Sequence, residues 1–337
     1  MTRGKRRNGA IQRARLGLQE LGNEKESAMS QSTIRLGTRG SALALWQTNW
    51  TLSLLRAAAP ELTFEPVVIK TTGDQRQDIP LPAVGAQGMF VKELELALED
   101  GTIDLAVHSS KDLPSVLHPG LTLGAFLPRE DVHDAFISKK WKSLSELPDG
   151  ARIGTGSFRR QSQLKAYNPT WLFSDIRGNL DTRLKKLETE DLDAIILASA
   201  GLIRLGWEDR ITQAIPLNVC LPAVGQGAVG LEIRENDMRM HDLLAKVDHA
   251  PTRATVLAER AFLRKVQGGC QAPVGAHATL QGDQLILEAM VAAMDGSQVL
   301  RRAMEGPMAK PDALGTALAE ELLGMGAREL LAKPRLP

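Results

Sequence analysis

Arg152-Ile153-Gly154-Thr155-Gly156-Ser157-Phe158-Arg159-Arg160, followed after a helical run and a turn by Ile176-Arg177-Gly178-Asn179 and then Arg183, is the stretch that decides the fold. A short apolar strand that breaks at Gly-Thr-Gly-Ser and re-enters a helix leaves backbone N–H groups facing outward at the helix start. That is an anion seat on a strand-loop-helix junction. The hydroxyls of Thr155 and Ser157 add donors, and Arg159, Arg160, Arg177 and Arg183 can hold planar carboxylates or phosphates in two-point geometry. A helix with solvated arginines would carry the same letters. Four arginines beside two Gly-rich breaks, in a chain of net charge +1, mark a local positive site and a multiply negative ligand instead. A nucleic-acid surface is disfavoured by the near-neutral charge and the scarcity of aromatic residues.

At 337 residues the chain exceeds one ordinary core and divides into two or three domains. Its charged and hydrophobic fractions are those of a soluble globular protein, and no apolar run is long enough to span a bilayer. Two cysteines, Cys220 and Cys270, argue against a disulfide framework and fit a reducing cytoplasm. Their spacing from the histidines makes no zinc pattern. Residues 1–31 form a basic extension without the apolar segment of a secretory signal. It reads as an organellar transit segment, a disordered tail or an upstream start, with Met29 as the preferred true start.

In chain order, a strand through Ile34 and Leu36 ends at Gly37-Thr38-Arg39-Gly40-Ser41, where Ser41 caps a helix with Leu43, Trp46, Trp50 and Leu54 on its apolar side. A strand over 66–70 follows, with Val67 to Ile69 as a continuous buried run. Residues 71–88 are then a long loop, expected to be a lid over the anion seat. After a helix over 90–100, the strand over 103–108 ends in Ser109-Ser110-Lys111-Asp112-Leu113-Pro114. Ligands gather at the carboxyl ends of strands in alternating strand-helix sheets, so Asp112 is the best candidate in this half for acid-base or electrostatic work. Lys111 beside it reads equally well as an ion pair at a turn. His108 reads as a packed strand-end residue.

Residues 128–133 are a charged crossing, after which the strand-helix pattern repeats through 135–197, with Arg204 just beyond the last strand. The segment 221–229 is a return crossing. Helices over 238–247 and 252–266 lead to Gln267-Gly268-Gly269-Cys270. A lone cysteine is usually a small buried hydrophobe, but at a Gly-Gly turn it becomes a candidate for covalent attachment or nucleophilic chemistry. A strand meander over 276–304 and a helix over 312–323 close the chain. The expected fold is α/β: two similar open α/β domains around a cleft plus a small α+β C-terminal domain. Domain 1 spans 32–127 and 228–246, domain 2 spans 128–227, and the C-terminal domain, 247–337, carries Cys270.

Together, Thr38-Arg39-Gly40-Ser41, Gly88-Met89-Phe90-Val91-Lys92-Glu93-Leu94, His108-Ser109-Ser110-Lys111-Asp112, Ser157-Phe158-Arg159-Arg160-Gln161, Arg177-Gly178-Asn179, Leu221 to Gly227 and Gly268-Gly269-Cys270 resemble the porphobilinogen deaminases, also called hydroxymethylbilane synthases. The resemblance runs in register from about Thr33 to the C-terminal helix. It implies a two-lobed architecture like that of periplasmic binding proteins and a dipyrromethane cofactor on a cysteine thioether, at Cys270. It also implies head-to-tail polymerisation of four porphobilinogen molecules with loss of ammonia, then hydrolytic release of hydroxymethylbilane for tetrapyrrole (porphyrin, haem) biosynthesis. The growing chain is a polyanion of acetates and propionates. By the same resemblance Arg39, Arg159, Arg160, Arg177, Arg183 and Arg204 bind those carboxylates, helped by Ser41, Lys111, Thr155 and Ser157, while Asp112 is the catalytic aspartate.

Two positions depart from the family's pattern: Gln87 stands where lysine is often found in the mobile loop before Phe90, and Gly156 replaces a common serine. The first questions any charge contributed by the lid, and the second removes a hydroxyl. The expectation is a monomeric cytoplasmic transferase acting on a small molecule, without nucleic acid, membrane or metal. The rival reading is a two-domain protein that closes on a small dianion without turning it over. Such carriers are usually exported and have no use for a thiol at Gly268-Gly269-Cys270.

Overall fold

The computed structural model of the chain describes residues 33–71, 91–267 and 272–332. Ile34 and Leu36 alternate with more exposed neighbours in β1 (Thr33–Thr38) and are fully buried. Ser41 accepts the Ala44 N–H at 3.3 Å and so caps α1 (Ala42–Ala58). β2 (Thr63–Val68), α2 (Lys92–Glu99), β3 (Leu105–Ser109) and β4 (Leu121–Phe126) complete the first run. The chain crosses through 128–133 into β5 (Asp134–Ile137), β6 (Arg152–Gly154), α3 (Phe158–Tyr167), β7 (Leu172–Ser174), α4 (Leu180–Thr189), β8 (Ala194–Ala198), α5 (Ser199–Arg204) and β9 (Gln213–Ile215). It returns to β10 (Val229–Arg234), α6 (Met238–Ala245) and α7 (Ala250–Lys265). The last elements are β11 (Val274–Gln281), β12 (Gln284–Ala292), β13 (Val299–Pro307), α8 (Pro311–Gly324) and α9 (Ala327–Ala332).

Two five-stranded sheets share one plan. Their orders are β2-β1-β3-β10-β4 and β7-β6-β8-β5-β9. In each, the first three strands are parallel and the fourth is antiparallel to its neighbours. That fourth strand is contributed by a crossing: β5 enters the second sheet and β10 re-enters the first, so each excursion is stitched into a sheet interior. The third unit is the antiparallel sheet β11-β12-β13, covered by α7 and α8 around Ala258, Phe262, Leu287 and Leu318. All three units meet at Glu259 of α7, which is fully buried. Its carboxylate takes Arg129 of the outgoing crossing at 2.6 and 3.1 Å, the Gly225 N–H of the return crossing at 2.7 Å and the Ala278 N–H of β11 at 2.8 Å. Removing one partner of such a pair strands a buried charge at a cost of about 3–5 kcal/mol.

Several expectations need correction. The strand expected over 66–70 is β2, which starts earlier and forms a sheet edge; Val68 is 53% exposed, and Val67 and Ile69 are only partly buried. An edge position also tolerates Pro66, which has no N–H to give. The buried side of α1 is Ala44, Gln47, Thr48, Thr51, Leu52 and Leu55, not the Leu43-Trp46-Trp50-Leu54 stripe. Helical carbonyls satisfy its threonines, Thr48 Oγ1 donating to Ala44 O at 2.9 Å and Thr51 Oγ1 to Gln47 O at 2.8 Å. β9, α5 and α9 are too short to show a period and were not anticipated. The expected lid, 71–88, lies outside the described residues apart from Thr71.

Candidate active site

The carboxyl end of β3 turns through Ser110–Asp112, a single 3-10 turn, into a cavity of about 170 Å³. Lys111 and Asp112 reach it from the first sheet, Ser157, Arg159 and Arg160 from the start of α3, Gln226 from the return crossing and Arg260 from α7. This turn is suspended from the return crossing by the Ser110 N–H, which donates to Ala228 O at 3.0 Å. Contact there is so close that a Cβ on residue 225 would lie 2.9 Å from Ser110 Cβ and 3.3 Å from the Lys111 nitrogen. Gly225 also has φ +70, so glycine is needed there twice over.

Asp134, the first residue of β5, anchors the cationic wall. Its Oδ2 accepts Arg159 Nη1 at 2.7 Å, and its Oδ1 accepts Arg160 Nη2 at 2.7 Å and Nε at 3.0 Å. Gln226 Nε2 donates to the same carboxylate at 3.0 Å and Cys220 Sγ at 3.3 Å. Burial alone would raise the Asp134 pKa; the two guanidinium groups outweigh it and hold the carboxyl well below the usual carboxylate range. Burial and then Asp134 push the Cys220 thiol up to about 12, so it stays protonated. Arg159 also gives Nη1 to Leu221 O at 2.7 Å, and Arg160 gives Nη1 to Ile196 O at 3.0 Å. These arginines form a fixed wall, not mobile surface charges.

Lys111 sits opposite them. Burial, offset by Asp112 and Asp134 but reinforced by Arg160 and Arg183, brings its ammonium down to about 8. Arg183, whose Nε donates to Gly178 O at 2.8 Å, is brought down to about 10 mainly by burial and by Arg160, against the pull of Asp112 and Asp175. Arg177 pairs with Asp175 at 2.6 Å. Thr155 is buried, and its Oγ1 accepts the Ser157 N–H at 3.3 Å. Ser157 takes the N-cap position of α3 without a side-chain cap bond. Arg39, half-buried, and Ser41 belong to the junction before α1. Arg204 does not line the cavity; it is buried against Trp46, Trp50 and Gly227 O. Gln87, Phe90 and Cys270 lie outside the described residues, although Leu263 and Ala272, on either side of 268–271, line the cavity. Sequence reasoning missed Asp134 and Arg260. A lone acid opening a strand next to an arginine-rich helix was the available signal for the first; nothing local marked the second.

A family model for the porphobilinogen deaminase dipyrromethane cofactor binding domain matches residues 34–242, and one for the porphobilinogen deaminase C-terminal domain matches 253–324. The chain belongs to the porphobilinogen deaminase family. A porphobilinogen deaminase from Desulforamulus reducens is 48% identical over 302 residues, covering 90% of this chain and 98% of that one. A porphobilinogen deaminase from Carboxydothermus hydrogenoformans is 49% identical over 300 residues, covering 89% and 96%. Among solved structures, an ABC-transporter periplasmic substrate-binding protein from Coxiella burnetii aligns with TM-score 0.41 at 15% identity, covering 67% of this chain and 94% of that one.

The cavity fits the cofactor of the porphobilinogen deaminase family. Among the described residues Lys111, Arg159, Arg160 and Arg260 line the cavity with Asp112 as the one acid in its lining, Asp134 lying behind Arg159 and Arg160, an excess of positive charge that a poly-carboxylate would balance. Among the described residues Ser110 Oγ, buried at the cavity wall, has no hydrogen-bond partner. Lys111 and Arg160 would donate to carboxylates there, and the hydroxyls of Ser110 and Ser157 could accept ring N–H groups.

Proposed function

We infer that the chain is a transferase that joins four porphobilinogen molecules head to tail, releasing ammonia, on a dipyrromethane primer linked through Cys270, and that it frees hydroxymethylbilane by hydrolysis for tetrapyrrole biosynthesis. The observation that carries this reading is the half-buried carboxyl of Asp112 on a turn facing the wall built by Arg159 and Arg160. When bound, the dipyrromethane supplies the pyrrole end on which the product grows. Lys111, Arg160, Arg177 and Arg183 grip acetates and propionates, with Ser157 adding a hydroxyl. Arg159 holds the return crossing through Leu221 O and adds its charge. Asp112 offers its Oδ atoms to pyrrole N–H groups, stabilises the positive charge that develops as ammonia leaves, and gives or takes a proton there.

The same reading divides the chain into 32–127 with 228–246, 128–227 and 247–337, in agreement with which strands enter which sheet. It makes the enzyme a cytoplasmic monomer that engages neither nucleic acid nor membrane. Among the described residues no helix is long and apolar enough to cross a membrane. The test is the intact mass of the purified protein with peptide mapping around Cys270. A mass excess of two linked pyrrole units on that residue is expected. An unmodified thiol that takes up no adduct when given porphobilinogen would overturn the reading.

A further inference from the structure

Leu43, Trp46 and Trp50 on α1 look across to α5 of the other α/β unit. Leu43 Cδ2 would stand 3.5 Å from a Cβ on Gly201, and Arg204 ends α5 with only 6% exposure. The Arg204 guanidinium carbon is 5.7 Å from the ring centroid of Trp46 and 5.7 Å from that of Trp50, and the two rings are themselves 5.7 Å apart, tilted by 42°. Nη2 donates to Gly227 O at 2.7 Å, while the buried Nε has no partner among the described residues. Among the described residues Arg204 makes no ion pair, and only Glu130 lends it a distant opposite charge. A desolvated cation in that state is costly unless something else stabilises it. Two aromatic faces within 6 Å do so in part, and they leave the Nε donor open.

We propose that Trp46 and Trp50 are positioning residues, a two-ring clamp reaching from the first unit to hold Arg204 of the second on Gly227 O, and with it the return crossing whose Gln226 lines the cavity. The grip of Arg204 then depends on the two units keeping this arrangement, because the rings, the guanidinium and Gly227 O come from three separate segments. The effect on substrate binding rests on the transferase reading. The clamp itself does not.

The test uses the full-length, cofactor-loaded protein. In a thermal-unfolding double-mutant cycle, Trp50→Leu and Arg204→Leu should lower the melting temperature less together than the sum of their separate effects. With porphobilinogen, Trp50→Leu should raise KM about tenfold and lower kcat by a smaller factor, and Trp50→Phe should restore most of the KM. Should Trp50→Leu not fold, Trp46→Leu against Arg204→Leu completes the same cycle. Additive melting shifts would overturn the clamp, as would a KM unmoved by loss of the ring or a phenylalanine variant no better than leucine. Absence of turnover and adduct in the unaltered protein would remove the transferase reading instead, with the cycle still deciding whether the clamp exists.

Discussion

Two strand-loop-helix junctions occupy equivalent places in the two sheets, after β1 and after β6, and they are put to different uses. At the first, Ser41 accepts the Ala44 N–H and completes its helix, while Thr38 Oγ1 donates to Ala44 O at 3.3 Å. At the second, Ser157 makes no such cap, and the next turn sends Arg159 and Arg160 inward to Asp134. One junction is closed on itself; the other opens into the cavity with fixed positive charge behind it. The acid comes from the first unit, at Asp112, and the cations from the second. Under the transferase reading proposed above, equal topology divides the work: one unit supplies proton chemistry and the other most of the field in which a polyanion is held.

The largest effect should follow loss of the acid. Asp112→Ala is expected to lower turnover by about 10³-fold or more while melting stays within a few degrees, measured by steady-state assay beside thermal unfolding. Robust turnover would take proton chemistry away from the first unit. Asp134→Asn tests the second unit and should act on stability first, since it leaves two buried guanidinium groups facing no carboxylate, a loss of about 3–5 kcal/mol. The sign with pH is fixed. The folded pKa of Asp134 lies below its ordinary value of 3.8, so its contribution is fully present above that pH and is lost as pH falls towards the folded value. The asparagine variant should show a flatter acid limb in stability against pH. An unchanged acid limb would mean that the cationic wall does not depend on this carboxylate.

Lys111 joins the two units electrically, because Asp112 holds its proton while Arg160 and Arg183 repel it. Its folded pKa of about 8 lies below the ordinary 10.5, so between these values the unfolded chain binds more protons and this group's contribution to stability rises with pH. Ligand binding runs the other way. A bound carboxylate favours the ammonium, so affinity for the anionic ligand should fall above about pH 8, by up to about tenfold per pH unit, with proton uptake on binding. Calorimetry in buffers of different ionisation enthalpy measures that uptake, and Lys111→Met should abolish it. Persistence of the uptake in the methionine variant would assign it to another group.

Much of this division was legible beforehand because backbone breaks and charges are local signals. The Gly-Thr-Gly-Ser break, the Ser41 cap, the crossings at 128–133 and 221–229 and the meander were each carried by adjacent residues. What escaped was set by partners distant in the chain. Asp134 gains its meaning from residues 25 and 26 positions later, and Arg129 from one 130 positions away. The Leu43-Trp46-Trp50-Leu54 stripe on α1 was visible, but periodicity shows that a face is apolar without showing what covers it; Trp50 and Leu54 pack partly on the first unit's core, and Trp46 and Trp50 lie beside Arg204. Buried threonines occupy the sheet side instead, since their hydroxyls return to helical carbonyls. Arg204 was assigned to carboxylates only through the resemblance; its placement beside two rings and outside the cavity lining had no local signal.

The smallest expected effect concerns the one glycine of the open junction that departs from the family's pattern. A Cβ on Gly156 would lie 2.7 Å from Asp175 Oδ1 and 3.2 Å from Ile176 O. The first obstacle is the exposed end of a flexible side chain and can swing away; the second is backbone and must give by a few tenths of an ångström. Gly156→Ser should therefore cost less than about 1 kcal/mol in thermal or denaturant unfolding. Turning Asp175 aside loosens its contacts with Arg177 Nε at 2.8 Å and Nη2 at 2.6 Å, and the new hydroxyl adds a donor, so KM for porphobilinogen should fall, by less than about threefold. A rise in KM with unchanged stability would instead show that Asp175 is needed to aim Arg177, because the serine would then have released the cation from the orientation in which it meets a carboxylate.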